Sequence, residues 1–377
     1  MKHLESLDGI RAIAIAMVMC FHYSYFASGW IGVQLFFTLS GYLITGILLR
    51  SRHKPFRIYI GTFFWHRALR ILPLVVFFLL VSALIYIATG VPQSFRSDWP
   101  WLLGFLANIA RLRPTDVGPA YVHLWSLAIE QQFYLFWPLL IYFMPPALFR
   151  RFVVGLLVFT PLLRLAVFSW TVHLGYDAEM AGKVVYVLPF TQLDAFAAGA
   201  AIPVLALDRL NNPGRRLIAA FLATAALGAA VLAAAYYGGQ GAFVASFGYA
   251  MFLLQSHGYV WGYSLLNLLA LLALICALRR LVWLRFLENA FLTWVGRISF
   301  GMYVYHIPLL LLGEAALAKL LPHPGPLIRA GFFVIWALIV LGVANLSFRF
   351  IEAPFLAMKN RGWIAKALRE APTVAPQ

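Results

Sequence analysis

The sequence of 377 residues is poor in cysteine and in charge, and both shortages exclude classes of protein. Its two cysteines, Cys20 and Cys276, lie inside apolar segments, which excludes a disulfide framework and a cysteine zinc site. Only 11% of the residues are charged, whereas soluble domains have about 25%. Hydrophobic residues make up 63% of the chain. The chain is therefore expected to be an integral membrane protein, with no metal site.

Apolar segments long enough to cross a bilayer recur along the whole chain. The second follows the first so closely that we expect a spanning helix at the N-terminus and no cleaved signal peptide. The ten predicted spans are residues 9–27, 31–49, 71–89, 125–143, 153–171, 187–207, 217–237, 260–278, 294–314 and 328–350.

Acidic residues are also scarce: 13 Asp and Glu accompany 29 Lys and Arg, a formal net charge of +16. The basic residues follow membrane topology, so we expect lipid and no nucleic acid as a partner. With the N-terminus inside, 19 of the 29 Lys and Arg face the cytoplasm and six face outward. An eleventh span at 243–256 would disturb this asymmetry, so that segment is predicted to be re-entrant or interfacial.

The predicted fold is therefore all-α: a polytopic membrane protein of about ten transmembrane helices with both termini cytoplasmic. Residues 1–353 form the transmembrane domain, and residues 354–377 form a basic cytoplasmic tail. The long outer loop 90–124 contains a tryptophan-rich stretch, residues 99–109, that we expect at the membrane interface.

The first span carries two residues that do not belong in lipid, Arg11 and His22. On a helix, eleven residues at about 100° each bring the two side chains within about 20° of one another, roughly 16 Å apart along the axis. A cation and an imidazole on one stripe should face a polar interior. The alternative is an arginine that snorkels and a histidine that reaches the far interface.

Three further spans carry polar side chains at membrane depth. These residues are Ser126 and Glu130 in the fourth span, Asp194 in the sixth, and Ser299, Tyr303 and His306 in the ninth.

Each of these also has a structural interpretation. Glu130 could pair with Arg164, Asp194 could make a helix-packing hydrogen bond, and His306 could bind a carbonyl freed by Pro308. Several polar spans in one bundle nevertheless favour a shared internal cavity over any single explanation.

Arg67 and Arg70 lie three residues apart before the third span, on one side of a helix. Such a pair is suited to bidentate contacts with phosphate. The two arginines could instead be ordinary basic residues on the cytoplasmic side, as the positive-inside rule predicts.

Six motifs together resemble the acyltransferase type 3 family, whose multi-spanning enzymes O-acylate polysaccharides and related acceptors. They are LDGIRAIAIAMVMCFH (7–22), GWIGVQLFFTLSGYLI (29–44), RALR (67–70), SLAIEQQFYLFWP (126–138), ISFGMYVYHIPLL (298–310) and FIEAPF (350–355). Two positions depart from the family pattern: Gln34 stands where an acid is usual, and Gln131 follows Glu130 where a second acid is common.

The resemblance implies a standalone enzyme without a fused esterase-like domain, in a bacterial inner membrane. It implies acyl-CoA, usually acetyl-CoA, as a cytoplasmic donor substrate and no tightly bound cofactor. The acceptor would be a saccharide or lipid-linked glycan such as O-antigen, exopolysaccharide or lipo-oligosaccharide.

Within that reaction, each polar residue has an expected role. His22 would act as general base or transient acyl carrier, with Glu130 orienting it or acting as an alternative base. Arg11, Arg67 and Arg70 would bind the donor. The remaining five would line the donor or acceptor channel: Ser126, Asp194, Ser299, Tyr303 and His306.

Two other functions are compatible with a polytopic protein. A transporter or flippase would use the buried charges to relay protons or bind solute, but the sequence shows no matching inverted halves. A structural membrane subunit would not explain why Arg11 and His22 lie on one face of the first span.

Overall fold

A computed structural model of the chain describes residues 4–209, 214–237, 251–254 and 257–360. The described residues form helices and connecting loops, with no β-strand. The α-helices are α1 Glu5–His22, α2 Ile31–Ser51, α3 Phe56–Thr89, α4 Phe95–Leu103, α5 Ala107–Ala110, α6 Trp125–Phe143, α7 Pro146–His173, α8 Ala178–Val187, α9 Leu193–Val204, α10 Gly214–Tyr237, α11 Gly258–Leu278, α12 Ala290–Leu320, α13 Pro326–Ser347 and α14 Ala353–Leu356.

Shorter helical turns connect these elements. A π-helical turn, Phe348–Glu352, joins α13 to α14. The 3₁₀ turns are Val122–Leu124, Phe190–Gln192, Leu207–Arg209, Met251–Leu253, Val282–Glu288 and Ala357–Asn360.

Each predicted span overlaps a helix, and the sixth, 187–207, covers α9, the 3₁₀ turn before it and only the last residue of α8, the other member of a bent helix pair. That pair is bent by 77° between Ala178–Val187 and Phe190–Val204. Among the described residues, six helices are long and apolar enough to cross a membrane, or seven if the bent pair is one span. The chain is thus an all-helical membrane protein, while the count of ten and the side of both termini stay predictions.

One predicted boundary differs from the structure, and two predicted segments lie largely outside the described residues. Helix α3 begins at Phe56 and not at residue 71, so Arg67 and Arg70 lie well inside one long helix that includes the third predicted span. Most of the predicted re-entrant segment, 243–250 and 255–256, lies outside the described residues. The same holds for residues 361–377 of the predicted tail.

Helix α2 lies at the centre of the bundle and α7 at its periphery. In the most apolar 18 residues of each, 67% are buried in α2 and 17% in α7. Helix α2 packs most extensively on α9, and α1 packs on α12. The described core is therefore built around two tight helix pairs.

Glycine permits the close approach of α2 and α9. A methyl group on Gly41 would overlap the backbone carbonyl oxygen of Phe196, and one on Gly199 would overlap that of Thr38. Small residues at helix interfaces allow backbones to approach closely in membranes. The small residues of α9 therefore let its backbone lie directly against that of α2.

Arg164 and Asp194 form an ion pair in the interior of the protein. The guanidinium donates to both carboxylate oxygens of Asp194 at 2.9 Å and also to the hydroxyl of Ser264 at 2.6 Å. Further donors reach the backbone carbonyls of Thr191 and Val260. The pair ties α7 to α9 and α11. The alternative pairing of Arg164 with Glu130 is therefore wrong.

The outer loop before α6 returns into the bundle. Asn108, in α5, exchanges hydrogen bonds with Gln132 of α6 at 2.9 and 3.3 Å, and it also donates to the carbonyl of Val187. Gln132 donates to the carbonyl of Phe105 as well. The stretch 99–109, expected at the interface, thus ends among buried residues.

We expect Gly199→Ala to destabilise the protein, because the added methyl group meets the backbone of α2. Overpacking of this kind costs about 1–3 kcal/mol. The matched control is Gly342→Ala, at a position of α13 with open space around it, where alanine should stabilise a helix by about 0.5–1 kcal/mol. Thermal unfolding in detergent compares the two variants. A midpoint for Gly199→Ala at or above that of Gly342→Ala would contradict the close packing.

Removing one partner of the Arg164–Asp194 pair should lower the stability of the folded protein far more than removing both. Asp194→Leu leaves a buried guanidinium unpaired, at about 3–5 kcal/mol, whereas Arg164→Met with Asp194→Leu replaces the pair by apolar groups. The exposed acid Glu179, changed to Ala, is the control. Thermal unfolding should rank the double variant above the single one; the reverse order would mean that the pair does not carry the stability.

Candidate active site

A polar cavity of about 880 Å³, counting the space at its mouth, lies among α1, α2, α3, α6 and α12. Seven of the ten predicted site residues line it: Arg11, Arg67, Arg70, Ser126, Glu130, Ser299 and Tyr303. His22 and His306 lie together beside it, while Asp194 is not at its wall. The cavity therefore gathers residues from four of the segments singled out in the sequence.

Three arginines line the cavity. Arg11 comes from α1 and makes a 2.7 Å ion pair with Asp8, and Arg67 and Arg70 come from α3. The guanidinium of Arg67 lies 5.8 Å from the ring centre of Tyr134. Because the three guanidinium groups share one cavity, an anion with several phosphate groups could contact more than one of them.

Glu352, at the end of the π-helical turn, was not singled out as a site residue. It is 1% exposed, and within the described part of the chain neither of its carboxylate oxygens makes a hydrogen bond. Its charge acts on Arg70. The closing motif FIEAPF was the only signal for it in the sequence, and π-helical turns occur frequently at functional sites.

Glu130 accepts hydrogen bonds from two side chains at the cavity wall. One donor is the hydroxyl of Ser40 in α2, and the other is the hydroxyl of Tyr134, 2.5 Å away. Ser40 was missed among the predicted site residues, although it lies in the quoted second motif. No hydrogen bond joins Glu130 to His22 in the described region, so the idea that Glu130 orients His22 is not supported by this arrangement.

His306 orients His22 instead. Nε2 of His306 lies 3.1 Å from Nδ1 of His22, which is also 3.0 Å from the carbonyl oxygen of Val18. Nδ1 of His306 lies 2.7 Å from the carbonyl oxygen of Tyr303. A carbonyl only accepts, so both Nδ1 atoms carry a proton in the neutral rings. Nε2 of His306 then accepts from His22, and Nε2 of His22 keeps a free lone pair.

A third histidine, His123, satisfies the carbonyl that the proline of α12 leaves free. Pro308 has no N–H to bind the carbonyl of Val304 four residues earlier, and Nε2 of His123 lies 3.1 Å from that oxygen. The suggested partner, His306, binds a different carbonyl. Although three histidines lie close together, the described residues contain no His, Cys, Asp or Glu group arranged to hold a metal ion.

Tyr303 is the side chain shared by the cavity and the histidines. It lines the cavity, and its ring centre lies 5.6 Å from that of His306. Its hydroxyl lies 2.5 Å from that of Ser126 and donates to the carbonyl of His123 at 2.7 Å. Since one hydroxyl has one proton, Ser126 must donate to Tyr303. The cavity and the base thus adjoin across one aromatic ring.

The two polar residues of α1 both face the interior of the bundle. Arg11 lines the cavity and His22 contacts His306. An intact helix from Glu5 to His22 connects them. This placement agrees with the polar stripe inferred from the sequence, and it disagrees with an arginine that snorkels and a histidine at the far interface.

Comparison with known proteins finds relatives along nearly the whole chain. The chain is 29% identical to the peptidoglycan O-acetyltransferase OatA of Listeria monocytogenes over 393 residues, which cover 96% of the chain and 57% of the relative. It is 26% identical to the O-acetyltransferase OatA of Staphylococcus aureus over 386 residues, 97% of the chain and 59% of the relative. The chain thus spans less than two thirds of the length of these relatives.

No solved structure matches the chain. The family model described as an acyltransferase domain, of acyltransferase type 3, matches residues 4–347, nearly the whole chain. This match agrees with the resemblance carried by the six motifs, and the chain belongs to the acyltransferase type 3 family.

Proposed function

We propose that this protein is a membrane-embedded O-acyltransferase that moves an acetyl group from cytoplasmic acetyl-CoA to a hydroxyl of a saccharide acceptor. The observation that carries the proposal is one cavity lined by three arginines and adjoining a histidine with a free Nε2 atom. The relatives, which carry the name O-acetyltransferase, support the same reaction type.

The donor would enter from the arginine side of the cavity. Arginine binds phosphate bidentately, so Arg11, Arg67 and Arg70 would hold the phosphates of CoA. The eleven residues from Arg11 to His22 span roughly 16 Å along α1, the same order as the length of a pantetheine arm. A donor held by the arginines would therefore present its thioester near His22.

His22 would act as the general base. An alcohol becomes an effective nucleophile when a base removes its proton, and imidazole suits this task near neutral pH. The hydrogen bonds to Val18 and His306 fix the proton on Nδ1, so Nε2 is the atom that accepts the proton of the acceptor hydroxyl. Glu130, which accepts hydrogen bonds from Ser40 and Tyr134, would form part of the wall of the donor channel.

The acceptor would be a saccharide or a lipid-linked glycan reached from the outer side of a bacterial inner membrane. One relative is named for peptidoglycan, and O-antigen, exopolysaccharide and lipo-oligosaccharide offer the same hydroxyl chemistry. In this proposal the membrane separates the two substrates, and the bundle brings the donor across most of its thickness.

His22→Ala should reduce acetyl transfer by about 10²–10⁴-fold, the usual contribution of a general base, while CoA still binds. Membranes are incubated with labelled acetyl-CoA and a candidate glycan, and ester-linked label is counted. His173→Ala, an exposed histidine at the end of α7, is the matched control. Full transfer by His22→Ala would refute its role, and labelled solute accumulating in vesicles without ester formation would indicate a transporter.

Arg67→Ala and Arg70→Ala should each raise the KM for acetyl-CoA by about 10- to 100-fold, because a hydrogen bond to a charged group contributes about 1.5–3 kcal/mol. Acetyl-pantetheine has no CoA phosphates, so its KM should not change. Arg151→Ala, an exposed arginine of α7, controls for general loss of positive charge. Equal effects on both donors would show that the pair does not bind phosphate.

A further inference from the structure

The chain that follows α1 turns back over the end of that helix. Ser24 has a left-handed backbone with a φ of 63°, and its amide donates to the carbonyl of Phe21 at 2.9 Å. The amide of Tyr25 donates to the carbonyl of Cys20, also at 2.9 Å. The two bonds form a Schellman motif, which satisfies carbonyls at a helix end. The motif fixes the backbone of Tyr25 three residues beyond His22.

An aromatic cluster holds the side chain of Tyr25 at the surface. Its ring centre lies 4.6 Å from that of Tyr23 and 5.0 Å from that of Phe333 in α13. Tyr23 is buried and also stacks on Trp336, with ring centres 5.7 Å apart. Tyr25 itself is 50% exposed, so part of its ring is open while the rest is packed on other rings.

Hydrogen bonds connect this cluster to the histidines. The indole N–H of Trp336 donates to the carbonyl of His306 at 3.1 Å, and His306 contacts His22. His22 is partly exposed although it does not line the cavity of the three arginines, whereas His306 is buried. The proposed base is therefore accessible from a surface other than the donor cavity.

An exposed ion pair borders the aromatic cluster. The hydroxyl of Tyr23 donates to the backbone carbonyl of Arg329 at 2.6 Å, and the guanidinium of Arg329 donates to Glu314 of α12 at 3.4 Å. Arg329 and Phe333 are four residues apart in α13 and so share one face of it. The side chains of Arg329 and Glu314 are 48% and 35% exposed, so both have room for further hydrogen bonds.

A sugar ring matches this combination of groups. Its C–H bonds form an apolar face that packs on the negative face of an aromatic ring, and its hydroxyls both donate and accept hydrogen bonds. A guanidinium only donates and a carboxylate only accepts, so an arginine–glutamate pair serves neighbouring hydroxyls in both senses. An aromatic belt at the membrane interface would use the rings alone and would leave the ion pair without a role.

We propose that Tyr25, Arg329 and Glu314 form the acceptor subsite, where a sugar ring packs on Tyr25 and its hydroxyls bond to the ion pair. The inference rests on the proposed function and names the residues that bind its saccharide substrate. In the predicted topology the end of α1 and the start of α13 both face outward, the side on which that acceptor is met. The donor and the acceptor then reach His22 from different surfaces.

The first test measures kcat and both KM values with labelled acetyl-CoA and a soluble glycan fragment of peptidoglycan. Tyr25→Ala should raise the acceptor KM by about 3- to 10-fold, the size of one lost aromatic contact, and should leave kcat and the KM for acetyl-CoA unchanged. Tyr25→Phe keeps the ring and should keep the wild-type acceptor KM. Tyr176→Ala is the matched control, because Tyr176 is 53% exposed and follows α7 on the same predicted side of the membrane.

Arg329→Ala should raise the acceptor KM by about tenfold in the same assay, as expected for the loss of a hydrogen bond from a charged group. Arg96→Ala, an exposed arginine of the predicted outer loop, is the control and should behave as wild type.

An unchanged acceptor KM in Tyr25→Ala or in Arg329→Ala would overturn the inference. A lower kcat of Tyr25→Ala at an unchanged acceptor KM would overturn it too, because Tyr25 would then act only through the position of His22. Thermal unfolding is measured for each variant, and if Tyr25→Ala does not fold, Tyr25→Leu takes its place under the same criteria. Wild-type protein that transfers no label to the glycan would instead contradict the proposed function, which keeps the two failures distinct.

Discussion

The cost of placing charge inside a membrane protein governs this structure. A buried charge must be paired or must face a polar cavity, and the described arginines divide along that line. Both terminal nitrogens of Arg164 donate to Asp194 and neighbouring oxygens, so this arginine holds helices together. Arg67 and Arg70 line the cavity, where a bound substrate would accept hydrogen bonds from their guanidinium groups.

Helix α2 makes the cavity possible because its faces differ. Gly41 faces α9 and allows the backbones to approach closely, while the preceding residue, Ser40, lines the cavity and donates to Glu130. Successive helical residues point about 100° apart, so tight packing and an open polar space occupy neighbouring sectors of one helix. Rigid packing on one side keeps the cavity wall fixed on the other, as the proposed transfer from a thioester would require.

The sequence predicted the helices well because hydrophobic length is a local property, and it predicted the polar stripe of α1 because helical periodicity is local too. It could not predict that His306 orients His22, since 284 residues separate them. The alternative that paired Arg164 with Glu130 failed for the same reason, because only the fold shows that Asp194 is the acid that meets this arginine. The return of α5 into the bundle was missed because it depends on a pairing between two amides.

The direction of the hydrogen bonds at His22 explains why this histidine, beside the cavity, suits base chemistry. The carbonyls of Val18 and Tyr303 can only accept, so the two Nδ1 protons are fixed by backbone and the lone pair of His22 is left on Nε2. A histidine without these partners would divide its population between tautomers. In the proposed reaction the fold therefore supplies a base already in its active form, and the donor arginines, one on α1 and two on α3, need only position the thioester.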